Sequence, residues 1–266
     1  MNRQVEYFQF FSKIICQKVL VFGVFSLGII SDIHSNIEAL KAVFADMKTF
    51  FPEIKEIYCI GDLVGYGPDP KECIELVFNH GLVTRVVKGN HDHYVDQTVT
   101  PPQINYLAEA AINYQINNIP LELRWELAQL PQFVTIKHLN FSSEITLVHG
   151  SPQYPLNTYI YPDTPKQENL FNYMSNTNVD ILILGHTHIP FVRKRKIDQN
   201  KELLMLNPGA VGQPRDDDPR ASYAVVDIEN MEAEIRRVEY DIDSVANRII
   251  SASLPESLAT RLFKGK

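Results

Sequence analysis

Two hydrophobic periods alternate along the chain. Short apolar runs rich in Val, Ile and Leu, at residues 27–31, 57–60 and 83–87, read as strands buried on both faces. Between them the apolar positions recur at helical spacing. Ile37, Leu40, Phe44 and Met47 share one helix face, and Cys73, Ile74 and Val77 form a stripe on the next. That second helix is punctuated by Asp69 as N-cap, Pro70 at its first position and Gly81 past its end. The segment from about 101 to 130, interrupted by Pro120 and Pro131, predicts a small inserted helical cap. Beyond it the pattern turns to strands at 145–148, 181–184, 203–206, 223–228 and 233–238, and an amphipathic helix follows Asp241.

Apolar strands alternating with amphipathic helices need helix layers to cover them. The prediction is an α/β fold, a four-layer α/β/β/α sandwich of two mixed sheets, with residues 23–266 as one domain. The apolar stretch 19–30 is shorter than the roughly 20 residues that span a bilayer. It runs without a small-residue cleavage site into Ile29, Ile30, Ser31 and Asp32. Its end is read as the first strand, and residues 1–22 as an N-terminal extension of unassigned role rather than a membrane anchor.

Composition narrows the function classes. The 266 residues are 45% hydrophobic and 21% charged, with a formal net charge of −7. A protein built to hold a nucleic-acid backbone carries the opposite balance, so no stable nucleic-acid partner is expected and any anionic substrate must be attracted locally. The basic run 193–196 is expected to be a solvated turn between two strand-like stretches. Three cysteines, Cys16, Cys59 and Cys73, form neither a CxxC pair nor an even disulfide set, which suits a reducing cytoplasm.

Candidate chemistry sits where apolar strands end: Asp32 and His34, then Asp62, Asn90 and His91, His149, and finally His186 and His188. Open α/β sheets place their ligands at such ends. Residues two apart point to one side of an extended backbone, so Asp32 with His34, and His186 with His188, are expected to converge. Gly61, Gly89 and Gly185 stand just before three of these positions and permit close approaches that a side chain would block. Imidazoles mixed with carboxylates suit Mn, Fe, Zn, Co or Ni, whereas Mg or Ca sites are nearly all oxygen. The number of candidates exceeds what one closed structural zinc site uses and points to two divalent cations, Mn2+ foremost. A P-loop, a dinucleotide fingerprint and a Gly-x-Ser-x-Gly elbow are all missing from the sequence. His80, His93 and His138 are expected in bland roles.

The motifs Asp32-Ile33-His34, Gly61-Asp62, Gly89-Asn90-His91-Asp92, His149 and Gly185-His186-Thr187-His188 resemble, in order, the five signatures of the calcineurin-like metallophosphoesterases. The segments 61–68 and 207–216 are similar to its small bacterial and archaeal phosphodiesterase branch. The resemblance implies that Asp32, His34 and His188 hold one cation, that Asn90, His149 and His186 hold the other, and that Asp62 bridges them. It also implies a metal-free catalytic His91 that faces the substrate beside Asn90. A water activated between the ions would attack the phosphate ester in line. One departure stands out. The family's protein phosphatases follow Gly-Asp with Val-Asp-Arg-Gly, and here Val64 is followed by Gly65, Tyr66 and Gly67. The phosphate-gripping Arg and the Asp that orients the catalytic His are therefore lacking, leaving Asp92 as a partner for His91 by adjacency only. Arg215 is expected either to bind the substrate phosphate or to form a salt bridge with one of Asp216, Asp217 and Asp218. The function implied is a dinuclear metal-dependent phosphoesterase acting on a small phosphate ester, a nucleotide among the candidates. Phosphodiesters are preferred over phosphomonoesters, phosphoproteins or dinucleoside polyphosphates. The same fold serves as a scaffold in the retromer coat where ligands have decayed; none has decayed here, so an enzyme is expected.

Overall fold

The computed structural model describes residues 26–96, 106–137, 143–199 and 201–266. The N-terminal extension 1–22, Cys16, residues 101–105 of the expected cap and His138 lie outside the described residues. One sheet places β1 (Ser26–Ile30), β2 (Glu56–Cys59) and β3 (Val83–Val86) in parallel. It continues past β1 through the antiparallel β9 (Ala221–Asp227) and β10 (Glu232–Val238), giving the order β10-β9-β1-β2-β3. The other is built from β4 (Phe133–Lys137), β5 (Glu144–Val148), β6 (Val179–Ile183), β7 (Phe191–Lys196) and β8 (Glu202–Asn207). Its order is β4-β5-β6-β8-β7, with the central three strands parallel and both edge strands antiparallel.

Alternation along each strand decides which layer a side chain joins. Leu27, Ile29, Tyr58 and Ile60 pack against Ile145, Leu147, Ile181, Ile183 and Leu206 between the sheets. Their neighbours Ile30, Ile57 and Cys59 turn outward beneath α1 (Ile37–Phe50) and α2 (Pro70–Asn79). On the other flank Leu182, Leu184, Leu203 and Met205 meet Leu170, Phe171 and Met174 of a helix at Lys166–Thr177. The result is the expected four-layer sandwich. Burial on both faces explains why the central strands are nearly unbroken apolar runs.

α3 (Asn90–Asp96) precedes α4 (Tyr106–Asn118) and α5 (Leu121–Gln129), the last two parted at Pro120. These helices brace the loops beyond β1 and β2. Gln115 of α4 is buried; its amide donates to the Gly67 carbonyl at 2.8 Å and its oxygen accepts from the Ser35 hydroxyl at 2.8 Å. α6 is the helix at Lys166–Thr177, and α7 (Ile242–Ser251) and α8 (Glu256–Thr260) close the chain. Asp241 caps α7, accepting from the Ser244 N–H at 2.9 Å. Asp69, expected to cap α2, makes no capping bond; its carboxylate is taken by Arg248 of α7 at 3.0 Å.

Other expectations are corrected at the sheet edges. The run 193–196 is the body of edge strand β7, and the turn comes after it. Neither β4, β7 nor α6 stands out in the apolar pattern, because polar residues interrupt or fill them: Thr135 and Lys137 in β4, Arg193 to Lys196 in β7, and Lys166 to Asn169 at the start of α6. No helix among the described residues is long and apolar enough to cross a membrane. Cys59 and Cys73 are buried and unpaired.

Candidate metal centre

The parallel strands β1, β2 and β3 of one sheet and β5, β6 and β8 of the other end on the same side of the sandwich, and the loops leaving them meet there. Asp32, His34, Asp62, Asn90, His91, His149, His186 and His188 are all brought together and all buried. Ligand-capable atoms of Asp32, His34 and His188 lie within 4.8 Å of one another, as do those of Asp62, His149 and His186. His91 forms a third such group with His34 and Asp62.

Convergence is achieved differently from the expected alternation of an extended strand. Asp32 (φ 52°), His34 (47°), Asp62 (52°), His186 (70°) and His188 (60°) all occupy the left-handed region that side chains other than glycine rarely adopt. The chain turns sharply at each position instead of continuing as strand. Backbone bonds hold those turns: the Asp32 N–H donates to the Gly61 carbonyl and that of His34 to the Asp62 carbonyl, each at 3.0 Å. Gly89 allows a close approach, since a Cβ there would lie 2.1 Å from Asp62 Oδ1.

Three of the rings that face the cluster are oriented from behind. Nδ1 of His34, His149 and His188 contacts the carbonyls of Val64, Ile60 and Gln213 at 3.1, 2.7 and 2.5 Å. This leaves each Nε2 pointing inward: His34 Nε2 and His188 Nε2 stand 2.9 Å apart, and His149 Nε2 is 3.2 Å from Asn90 Oδ1 and 3.2 Å from Asp62 Oδ2. Backbone carbonyls or carboxylates behind a ring are the usual means of fixing which nitrogen is presented to a metal. Asp62 divides its carboxylate, Oδ1 accepting from the His91 N–H at 2.8 Å while Oδ2 faces His34 and His149. The segment after β8 supplies Gln213 and, two residues on, Arg215. It is pinned to the turn just beyond β1 by the Val211 and Gly212 N–H groups on the Ser31 and Asp32 carbonyls, both 2.9 Å.

The electrostatics are those of a site short of positive charge. Burial pushes the Asp32 and Asp62 carboxyls up, but the surrounding imidazoles outweigh it and hold both well below the usual carboxylate range. Burial drives His186 down to about 3 and His91 down to about 4, whereas Asp62 and Asp32 overcome burial at His149 and lift it to about 9. Asp32 Oδ1 and His186 Nε2 are buried with no hydrogen-bond partner. Such atoms are costly unless something else binds them, and a nitrogen-and-oxygen donor set without thiolate fits first-row divalent cations.

His91 lies among aromatic rings: His34 at 4.9 Å between centroids, Tyr66 at 4.6 Å and Tyr94 at 5.9 Å. Its Nδ1 is buried and unpartnered. Asp92, the neighbour considered for that role, serves elsewhere; its oxygens accept the N–H groups of Leu63 at 2.9 Å and Gly89 at 2.9 Å, tying two ligand loops together. Gly65 makes room for the ring, because at φ +108° a Cβ would lie 2.6 Å from His91 Nδ1.

Beside the cluster opens a cavity of about 220 Å³ lined by Asp62, Asn90, His91, His186, His188 and Arg215, together with Tyr66, Tyr94, Ala108, Asn157 and Tyr159. The second set was not singled out from the sequence, where tyrosines in loops carry no spacing signal. Arg215 donates to Gln213 Oε1 at 3.1 Å and lies over the Tyr66 ring, 5.6 Å from its centroid. The salt bridge considered for it is replaced by other pairs, Asp216 with Arg237, Asp217 with Lys266 and Asp218 with Arg220. His93 is half-buried beside Tyr94, and His80 stacks on Phe44 at 4.0 Å.

A family model described as the calcineurin-like phosphoesterase superfamily domain matches residues 25–231. An uncharacterized protein of Methanocaldococcus jannaschii is 37% identical over 252 residues, 90% of this chain and 98% of its own length. A symmetrical bis(5'-nucleosyl)-tetraphosphatase of Baumannia cicadellinicola is 29% identical, over 66% of each chain. Among solved structures, a metallophosphoesterase from Sphaerobacter thermophilus is 34% identical and superposes with a TM-score of 0.75 over 91% of this chain and 100% of its own.

Proposed function

The chain belongs to the calcineurin-like phosphoesterase superfamily, and on that premise we propose that it is a dinuclear metal-dependent phosphoesterase that prefers phosphodiesters. The observation that carries the reading is the convergence of two buried carboxylates and four buried imidazoles on unpartnered Asp32 Oδ1 and His186 Nε2, at the wall of an open polar cavity. Asp32, His34 and His188 would hold one cation and Asn90, His149 and His186 the other, with Asp62 available to both. When bound, two divalent cations, Mn2+ foremost, supply an activated water and a clamp on the phosphoryl oxygens.

The protein's own groups do the rest. The two carboxylates are too few to neutralise two dications, so an anionic phosphoryl group completes the charge balance in a protein whose net charge is −7. Arg215, the cationic side chain among the cavity residues, orients that group. His91 faces the cavity and delivers a proton to the departing oxygen. Arg215 adds to the burial that disfavours its charged form, and a docked phosphoryl anion offsets both. Diesters are favoured because the loop beyond Asp62 offers Gly65 and Tyr66 where a second phosphate-gripping cation would favour a dianionic monoester.

A second reading is hydrolysis of a dinucleoside polyphosphate, favoured by the similarity to the Baumannia tetraphosphatase. The test is reconstitution with Mn2+, metal analysis, and comparison of kcat/KM for bis- and mono-nitrophenyl phosphate and diadenosine tetraphosphate. Two equivalents of metal and a faster diester are expected. Failure to retain metal overturns the centre, a tenfold preference for the monoester overturns the diester, and faster tetraphosphate cleavage selects the second reading.

A further inference from the structure

Between β5 and α6 the chain exposes three tyrosines: Tyr154, Tyr159 and Tyr161 are 62%, 41% and 43% accessible. The same loop buries Leu156 and Ile160, and Ile160 joins Val148 and Leu182 in the apolar layer beneath α6. In extended backbone, neighbours face opposite ways. Seating Ile160 in the core therefore turns Tyr159 and Tyr161 outward together, and their rings lie 8° from parallel with centroids 5.9 Å apart. Tyr159 also stacks on the ring of His186, at 3.9 Å and 26°, and lines the cavity beside the metal-ligand cluster.

The loop is anchored on both sides of these rings. Before them the Tyr94 hydroxyl donates to Asn157 Oδ1 at 3.4 Å, and after them the Gln167 side-chain amide donates to the Tyr161 carbonyl at 3.0 Å. A ladder of aromatic faces thus leads from a ligand ring, through a cavity-lining tyrosine, to a second tyrosine in solvent. Holding His186 in place needs the first tyrosine; it does not need the second, nor the exposure of both.

We infer that Tyr159 and Tyr161 form a stacking platform for a planar aromatic base carried on the phosphate substrate, so that the site selects nucleoside phosphates over esters of aliphatic groups or bare sugars. The inference rests on the cavity being a phosphoryl site, as proposed above. Tyr159 belongs both to the cavity and to the exposed surface, which places the phosphoryl group inward and the base outward along one substrate. Stacking of a base on an aromatic side chain tolerates any base, because each presents a π face. The platform accordingly predicts a preference for nucleotides as a class.

The test uses the full chain loaded with Mn2+, with bis-nitrophenyl phosphate turnover as reporter and AMP, ribose 5-phosphate and inorganic phosphate as competitors. AMP should bind about tenfold tighter than ribose 5-phosphate, within the range of base stacking on an aromatic side chain. Tyr161→Ala, which does not touch His186, should collapse that ratio while leaving the Ki of ribose 5-phosphate and the metal content unchanged; Tyr161→Phe should preserve it. Equal binding of AMP and ribose 5-phosphate, or a ratio that survives Tyr161→Ala, overturns the platform and leaves the phosphoryl site standing. If neither ribose 5-phosphate nor phosphate competes, the phosphoryl reading of the cavity fails and takes the platform with it.

Discussion

Charged side chains are disposed on opposite principles at the edge strand β7 and at the shared strand ends. Along β7, Arg193 meets Asp163, Lys194 meets Glu202 and Glu232, and Arg195 meets Glu168 while lying over Phe171. These three basic side chains each have an acid, most of the pairs are solvent-exposed, and the charges deter another strand from adding to the edge. At the strand ends, Asp32 and Asp62 are buried among imidazoles with no Lys or Arg among the described residues paired to them, and Asp32 Oδ1 is left unpartnered. Charge paired within the protein is structure; buried charge left short of partners is a binding site. The contrast gives a physical criterion for function that a count of charges would miss, since the more conspicuous basic run belongs to the first kind.

The sharpest way to break the comparison is Asp62→Asn. Removing the carboxylate that faces both triads should empty or weaken a metal site and lower activity more than any other ligand change, as metal analysis beside diester turnover would reveal. Full metal content with near-normal turnover would move the bridge to another residue. His91→Ala comes next. Loss of a general acid costs about 10² to 10⁴ in kcat, with both ions retained and a smaller deficit for nitrophenyl than for alkyl esters, whose leaving oxygen needs the proton more. Loss of one metal equivalent would instead place His91 among the ligands, a role its proximity to His34 and Asp62 makes geometrically open. The smallest effect belongs to β7: Lys194→Ala should cost no more than about 1 kcal/mol in denaturant unfolding and leave kcat unchanged. A larger loss would mean that the belt on β7 is more than a surface feature.

The apolar periodicity was enough to place the layers and the set of polar residues at their edge. Strands buried on both faces must be apolar along their length, and the polar residues that interrupt them stand out against that background, as Asp32 does after Ile29 and Ile30. Strands β4 and β7 were illegible for the converse reason: Thr135 and Lys137 break the apolar run of the one, and Arg193 to Lys196 fill most of the other. Tertiary structure alone decided how the polar set converges. Left-handed turns at Asp32, His34, Asp62, His186 and His188 are imposed by hydrogen bonds between loops distant in sequence, such as that from Asp32 to Gly61. It alone sent Asp92 to backbone N–H groups rather than to His91, and Arg215 into the cavity rather than to its acidic neighbours. It alone set Tyr159 against His186. Spacing along a chain records local periodicity, whereas which loops meet depends on how two sheets stack, and that is settled only when the apolar layer between them closes.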